Sequence, residues 1–227
     1  MRRAIAVMLL ACACAHGPGS APAPTPEATP APAPEAAKPS PFPPAANEAE
    51  SQADYATSLF MESCVANLTK PTELTRWIQE HELRKVPAEL EGRILAGQTG
   101  EVWSAGSSLG VFLLIVVPID ERVNQCSVWA QHADATRLNA HFTRLLAGSA
   151  RPGLLVEQVS DGSVKGPGGD YRQVVYYVHK EGVDLGFVFV ATTSASEEAE
   201  VQGRLMTSPG QGRKIVLPGG LPKDEPQ

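Results

Sequence analysis

Basic residues are scarce in this sequence and form no cluster. Lys and Arg total 19 against 25 Asp and Glu, which sets the net charge at −6. Nonspecific binding to nucleic acid depends on Lys and Arg side chains that neutralise phosphates. The composition therefore argues against a nucleic-acid partner, and mild acidity mainly favours solubility.

Long apolar runs are also missing. Residues 4–11 would rise about 12 Å as a helix, whereas the apolar core of a membrane is roughly 30 Å thick. The run at residues 111–117 is rich in β-branched side chains and stops at Pro118. It is too short to span as a helix, so we predict a buried strand there.

Several catalytic and cofactor motifs are incomplete. His81-Glu82 lacks the second histidine of a zinc-protease helix, because position 85 is Lys85. The glycine-rich segment 162–169 contains a lysine but not the Gly-Lys-Ser/Thr ending of a phosphate-binding loop. No Ser-x-x-Lys arrangement occurs either. The sequence predicts no cofactor site and no metal site.

One motif, Gly106-Ser107-Ser108-Leu109-Gly110, matches Gly-x-Ser-x-Gly. A nucleophile elbow needs a strand before the serine and a helix after it. Here a predicted strand follows, so we interpret the motif as a hairpin turn. We interpret His132 and His141 as lone surface residues. Acid and base candidates follow Ser108 in an order that permits a triad: Asp120, His132, Asp134, His141 and His179.

The first residues are typical of an export signal, with Arg2 and Arg3 ahead of the short apolar run. Leu9-Leu10-Ala11-Cys12 resembles the lipobox of bacterial lipoprotein precursors. The resemblance implies cleavage before Cys12 and attachment of lipid to its sulfur. Ala13 then favours the outer over the inner membrane, since it is not a retention aspartate. An ordinary secretory signal is the alternative.

Proline is concentrated near the start, with eleven of the 20 prolines between Pro18 and Pro44. Alternating Ala-Pro pairs block helix formation and favour extended polyproline II chain. We therefore divide the chain into a lipoprotein signal sequence (1–11), a lipid-anchored disordered tether (12–50), one folded domain (51–217) and a C-terminal tail (218–227).

The apolar periodicity of the domain predicts an α+β fold, an antiparallel sheet with helices packed on one face. Asp161-Gly162 is expected to open a turn. Predicted helices cover 54–68, 134–148, a segment from Pro71 to Pro87, and a last one capped by Ser194 or Ser196. Predicted strands include 102–103, 111–117, 125–130, 154–159, 171–179 and 185–192.

Aromatic side chains on these strands leave two interpretations open. They fill the core, as strand aromatics commonly do, or they form one exposed face that binds peptide or glycan. The residues concerned are Trp103, Phe112, Trp129, Tyr171, Tyr176 and Tyr177.

Two cysteines, Cys64 and Cys126, lie in the predicted domain. An oxidising compartment permits a disulfide between them, and two buried free thiols are the alternative. A redox pair and a metal site are less favoured. There is no Cys-x-x-Cys to lower a thiol pKa, and no paired His or Cys spacing accompanies the two.

Short motifs around both cysteines resemble an uncharacterised family of small exported bacterial proteins, many of them lipoproteins. The similarity covers about residues 55–195. It implies an exported domain, supports a Cys64–Cys126 pairing and transfers no catalytic residue. Its motifs are Phe60-x-x-x-Cys64-Val65, Trp77, Gly100-x-Val102-Trp103 and Cys126-Ser127-Val128.

We therefore expect a cell-envelope lipoprotein, attached to a membrane through Cys12. Its domain is expected to bind an envelope protein or a cell-wall polymer without catalysing a reaction. The alternative is an envelope hydrolase or a small-ligand-binding protein, which a pocket converging on Ser108 would favour.

Lipidation gives the first test. Radiolabelled palmitate should enter the wild-type protein and be absent from Cys12→Ser, because the lipobox resemblance assigns the acyl chains to that sulfur. Cys14→Ser is the matched control and should keep the label. Label retained by Cys12→Ser would contradict the assignment.

Overall fold

The computed structural model describes residues 43–166 and 168–211, and within these ranges it contains four α-helices and an eight-stranded antiparallel sheet. The predicted α+β class is therefore correct. The helices are α1 Glu48–Phe60, α2 Pro71–Glu80, α3 Ala88–Leu95 and α4 Ala135–Ser149. The strands are β1 Arg84–Lys85, β2 Glu101–Ser104, β3 Phe112–Pro118, β4 Asn124–Ala130, β5 Leu154–Gly166, β6 Gly169–Lys180, β7 Leu185–Thr193 and β8 Gly203–Gln211.

Several predictions concern residues outside these ranges. The signal sequence 1–11, Cys12, most of the tether 12–50 and the tail 218–227 lie outside the described residues. Helix α1 starts at Glu48, six positions before the predicted start at Asp54. Asn47 caps it, with the side chain accepting from the backbone N–H of Glu50 at 2.9 Å.

The last strand joins the two halves of the sheet. The strand order is β1-β2-β3-β4-β8-β7-β6-β5, so β8 lies between β4 and β7 and pairs with both. Every paired neighbour is antiparallel. Without β8, the strands before α4 and the strands after it would form separate sheets.

Alternation along the strands divides the apolar side chains between two faces. Leu114 belongs to the larger core, beneath α1, α2 and α4. Its neighbours Ile115 and Val117 point the other way and pack with Val102 and with Leu95 of α3. The prediction that all helices lie on one face is therefore wrong for α3.

The end of α1 is joined to the sheet through sulfur. After Phe60 the helix widens into a π-helical turn, Met61–Val65, which carries the buried Cys64. The structure pairs Cys64 with Cys126 of β4, with 5.4 Å between their Cα atoms. That separation lies within the usual range for a disulfide.

Helices α1 and α4 are held together by a cluster of charged side chains. Arg137 donates to both carboxylate oxygens of Asp54, at 2.6 and 2.8 Å, to Glu50 at 2.9 Å and to the Pro43 carbonyl oxygen. His141 Nε2 lies 2.6 Å from Asp54 Oδ1. The side chain of His141 is buried, so its prediction as a surface residue is wrong.

In this cluster, burial and hydrogen bonding shift the pKa values of Asp54 and His141 in opposite directions. Burial would raise the pKa of Asp54, but hydrogen bonds from Arg137 and His141 outweigh it and hold that pKa below its usual value. Burial lowers the pKa of His141 in spite of the nearby carboxylate. The geometry therefore fits a neutral imidazole that donates from Nε2 to an ionised Asp54.

Two further secondary-structure predictions are wrong, one based on a proline and the other on a glycine. Pro87 does not end the second helix. Helix α2 stops at Glu80, and Pro87 is the residue that caps the start of α3. Asp161-Gly162 lies inside β5, which runs on to Gly166. Asp161 pairs there with Arg172 of the neighbouring strand at 2.8 Å, and that contact favours continued pairing over a turn.

The predicted C-terminal helix is also absent from the part of the chain that the structure describes. Ser196 accepts from the backbone N–H of Glu198 at 3.2 Å, but the segment forms only a turn. Leu205 and Met206 then lie on opposite faces of β8.

Within residues 43–166 and 168–211, no helix is long and apolar enough to cross a membrane.

The Cys64–Cys126 pair yields a stability test. The two residues are 62 positions apart, and a loop of that length should contribute about 4 kcal/mol on the chain-entropy model. In Cys12→Ser/Cys14→Ser protein, reduction should lower the free energy of unfolding by roughly 2–5 kcal/mol in urea titrations. If both domain thiols alkylate in denatured, unreduced protein, the pairing does not form.

Candidate functional site

A cleft of about 650 Å³ lies between α1, the π-helical turn, the end of α2 and the paired strands β1 and β2. Its walls combine apolar and aromatic surface with charged groups of both signs, as ligand sites commonly do. The residues that matter most are Tyr55, Glu62, Trp77, His81, Glu82 and Arg84.

Two aromatic rings at the end of α2 are stacked face to face in this cleft. Trp77 and His81 are one helical turn apart, with ring centroids 4.0 Å apart and planes inclined by only 21°. His81 Nδ1 lies 2.8 Å from the carbonyl oxygen of Trp77, which orients the imidazole over the indole. Trp77 also packs against the main core, so the stacked pair rests on a firm base.

Tyr55 of α1 lines the cleft beneath them. Its ring packs on Phe112 of β3, with 4.5 Å between centroids. Burial raises the pKa of Tyr55, and the negative charge of Glu62 raises it further. The phenol therefore stays protonated near neutral pH and can donate a hydrogen bond to a ligand.

The backbone at Glu82 is strained. Its φ of +51° lies in the left-handed region, which glycine adopts without steric penalty and other residues seldom adopt. Glu82 follows His81, the residue that caps the end of α2, and the N–H of Leu83 donates to the carbonyl of Ile78 at 3.1 Å. Glycine is the usual choice in such a motif. Glutamate there places a carboxylate in the cleft wall.

The Gly-x-Ser-x-Gly motif forms the predicted hairpin turn. Ser107 and Gly110 bridge one another between β2 and β3, and β3 follows in place of a helix. Ser108 is exposed and is not among the residues that line the cleft.

The acid and base candidates of the sequence analysis contact other residues, and these contacts do not join them into a triad. Asp120 accepts from the N–H groups of its own turn, and Asp134 caps α4. His179 stacks on Tyr177, with ring centroids 4.7 Å apart. His141 belongs to the α1–α4 cluster, and His132 is exposed.

The strand aromatics do not share one face. Phe112 and Tyr176 are buried with the main core, whereas Tyr177 belongs to a cluster on the opposite side of the sheet. The interpretation as core residues is thus correct for these three.

The cleft aromatics, Tyr55 and Trp77, come from helices instead. The sequence signal that we missed was the Trp77–His81 spacing followed by a helix end without glycine.

Across residues 43–166 and 168–211, no group of three or more His, Cys, Asp or Glu side chains is arranged to hold a metal ion. None of the family models, curated proteins or solved structures compared with this chain matches it. The cleft and the sequence signals at the N-terminus are therefore the features that bear on function.

Glu82→Gly tests whether the backbone at Glu82 is strained. A left-handed conformation costs an ordinary residue roughly 1–2 kcal/mol, part of which the added flexibility of glycine offsets. Glu82→Gly should therefore raise the free energy of unfolding by up to about 1 kcal/mol in urea titrations.

Ala96 provides the matched control, because it also has a positive φ, +48°, but ends α3 away from the cleft. Ala96→Gly should stabilise by a similar amount. A loss of stability in Glu82→Gly alone would mean that the carboxylate makes a stabilising contact.

Proposed function

We propose that this protein is a lipid-anchored module of the bacterial cell envelope that binds a cell-wall glycan in the α1–α2 cleft. The lipobox-like tetrapeptide ending at Cys12 and the Pro/Ala-rich segment support the anchor and the tether. The domain would then work in the periplasm or at the cell surface, with the outer membrane favoured by Ala13.

The observation that carries the binding proposal is the flat Trp77–His81 pair inside a cleft that also contains charged groups. A sugar ring has an apolar C–H face that packs on an aromatic ring, and hydroxyls around its edge. Glu62 and Glu82 can accept hydrogen bonds from such hydroxyls, while Tyr55 and Arg84 can donate. The cleft thus offers both kinds of contact to one ligand.

A polymer suits this site better than a small free ligand. The cleft opens at the exposed residues His81, Glu82 and Arg84, so a chain can continue beyond the part that is bound. Of the alternatives, a serine hydrolase would need its nucleophile in the cleft, and a small-ligand-binding protein would need a more enclosed pocket. Ser108, the predicted nucleophile candidate, does not line the cleft.

Cosedimentation with purified cell-wall sacculi tests this proposal. Trp77→Ala should reduce binding about 30-fold, equivalent to the roughly 2 kcal/mol that a buried aromatic anchor contributes. His81→Ala should reduce it by a smaller factor and leave the fold intact, because that side chain is exposed.

The matched control is His179→Ala, which removes a ring from the other stacked aromatic–histidine pair, on β6. It should bind as the wild type does. Equal binding by all three variants would show that the cleft is not the site, and no binding by the wild type would show that the polymer is not the ligand.

A further inference from the structure

The face of the sheet that carries α3 contains an arginine to which no described residue offers a carboxylate. Arg204 of β8 is opposite Trp129 of β4 and Thr192 of β7. The central carbon of its guanidinium lies 5.2 Å from the centroid of the Trp129 ring, a cation–π contact. In the described part of the chain, the polar contact that it makes is weak, 3.5 Å from Nη2 to the sulfur of Met206.

Two hydrogen-bond donors are left unused at this position. Nε of Arg204 and Nε1 of Trp129 are both buried, and within residues 43–166 and 168–211 neither meets an acceptor. Buried polar atoms are nearly always hydrogen-bonded, so two unpaired donors on neighbouring strands call for an explanation. Burial lowers the pKa of Arg204, and no nearby charge contributes to that shift.

Two other arginines of the domain are paired with carboxylates. Arg137 is bound by Asp54, and Arg172 by Asp161, in each case through two nitrogen atoms. Both guanidinium groups are thus neutralised by an acidic side chain. Arg204 has the same fork of donors, and none of the described residues supplies it with a carboxylate.

We propose that Arg204 and Trp129 form a binding site for a single carboxylate group, presented by a peptide ligand. A carboxylate has two oxygens in one plane, which match the guanidinium fork and leave a lone pair for the indole N–H. One cation balances one negative charge, which favours a carboxylate over a phosphate dianion. Thr192 and Gln173 continue the same row across the sheet and can bind the adjoining peptide group.

This site is separate from the glycan cleft. The cleft lies on the side of α1 and α2, whereas Trp129 packs in the cluster that contains α3. Binding of a carboxylate here and of a glycan there can therefore be tested independently, and either can fail alone.

The indole signal of Trp129 is a direct probe of the site. The protein has three tryptophans, so the indole region of a ¹H–¹⁵N spectrum contains three peaks, and Trp129→Phe identifies the relevant one. The intact domain is titrated with acetyl-dialanine that has a free C-terminal carboxylate, then with its C-terminal amide, sodium chloride and inorganic phosphate.

We expect the free acid to shift the Trp129 peak in a saturable manner, and the amide and chloride to leave it in place. Arg204→Gln should weaken the binding by at least about ten-fold. The affinity of Arg204→Lys for the free acid should lie between those of Arg204→Gln and the wild type, because lysine keeps the charge but not the planar fork. Arg151→Gln, which changes an exposed arginine, should bind as the wild type does.

Three results would overturn the proposal. They are no saturable shift with the free acid, equal shifts with acid and amide, and tighter binding of phosphate than of the carboxylate. If Arg204→Gln does not fold, the comparison of acid with amide on the wild-type protein decides alone.

Discussion

The link between Cys64 and Cys126 is the constraint on which the rest of the domain depends. It fixes the end of α1 to the fourth strand of the sheet, while Arg137 and Asp54 hold the start of α1 against α4. Helix α1 is thus restrained at both ends. Because Tyr55 and Glu62 lie between these restraints, their positions in the cleft follow from them. Losing either restraint should affect the cleft before it affects the sheet.

The two faces of an antiparallel sheet can differ in the chemistry of their side chains as well as in their packing. Side chains that alternate along β3, β4 and β8 belong to different faces, so one strand can serve a helical core on one side and a polar row on the other. Val128 and Trp129 show this division, since the first lies in the main core and the second contacts Arg204 on the far side. A compact domain can in this way carry two unrelated binding surfaces.

Local signals in the sequence predicted the local structure well. The run 111–117 and the cap at Asp134 became β3 and α4, because burial and capping act over a few residues. Features that depend on distant parts of the chain were missed. Pro87 suits either a helix end or a helix start, and only packing on the sheet decides between them. Trp77 follows the periodicity of a core residue, and nothing in that periodicity reveals an adjacent cleft.

The crosslink also determines how the domain would carry mechanical load. Tension applied along the chain from Pro43 reaches α1 first, where Arg137 bonds to Asp54 and Glu50 resist it. Should those contacts break, the covalent bond at Cys64 passes the tension directly to β4. The intervening segment, which includes α2, α3 and the first three strands, then bears none of it. A pull from that end therefore cannot extend the chain between Cys64 and Cys126 while the sulfur bond holds.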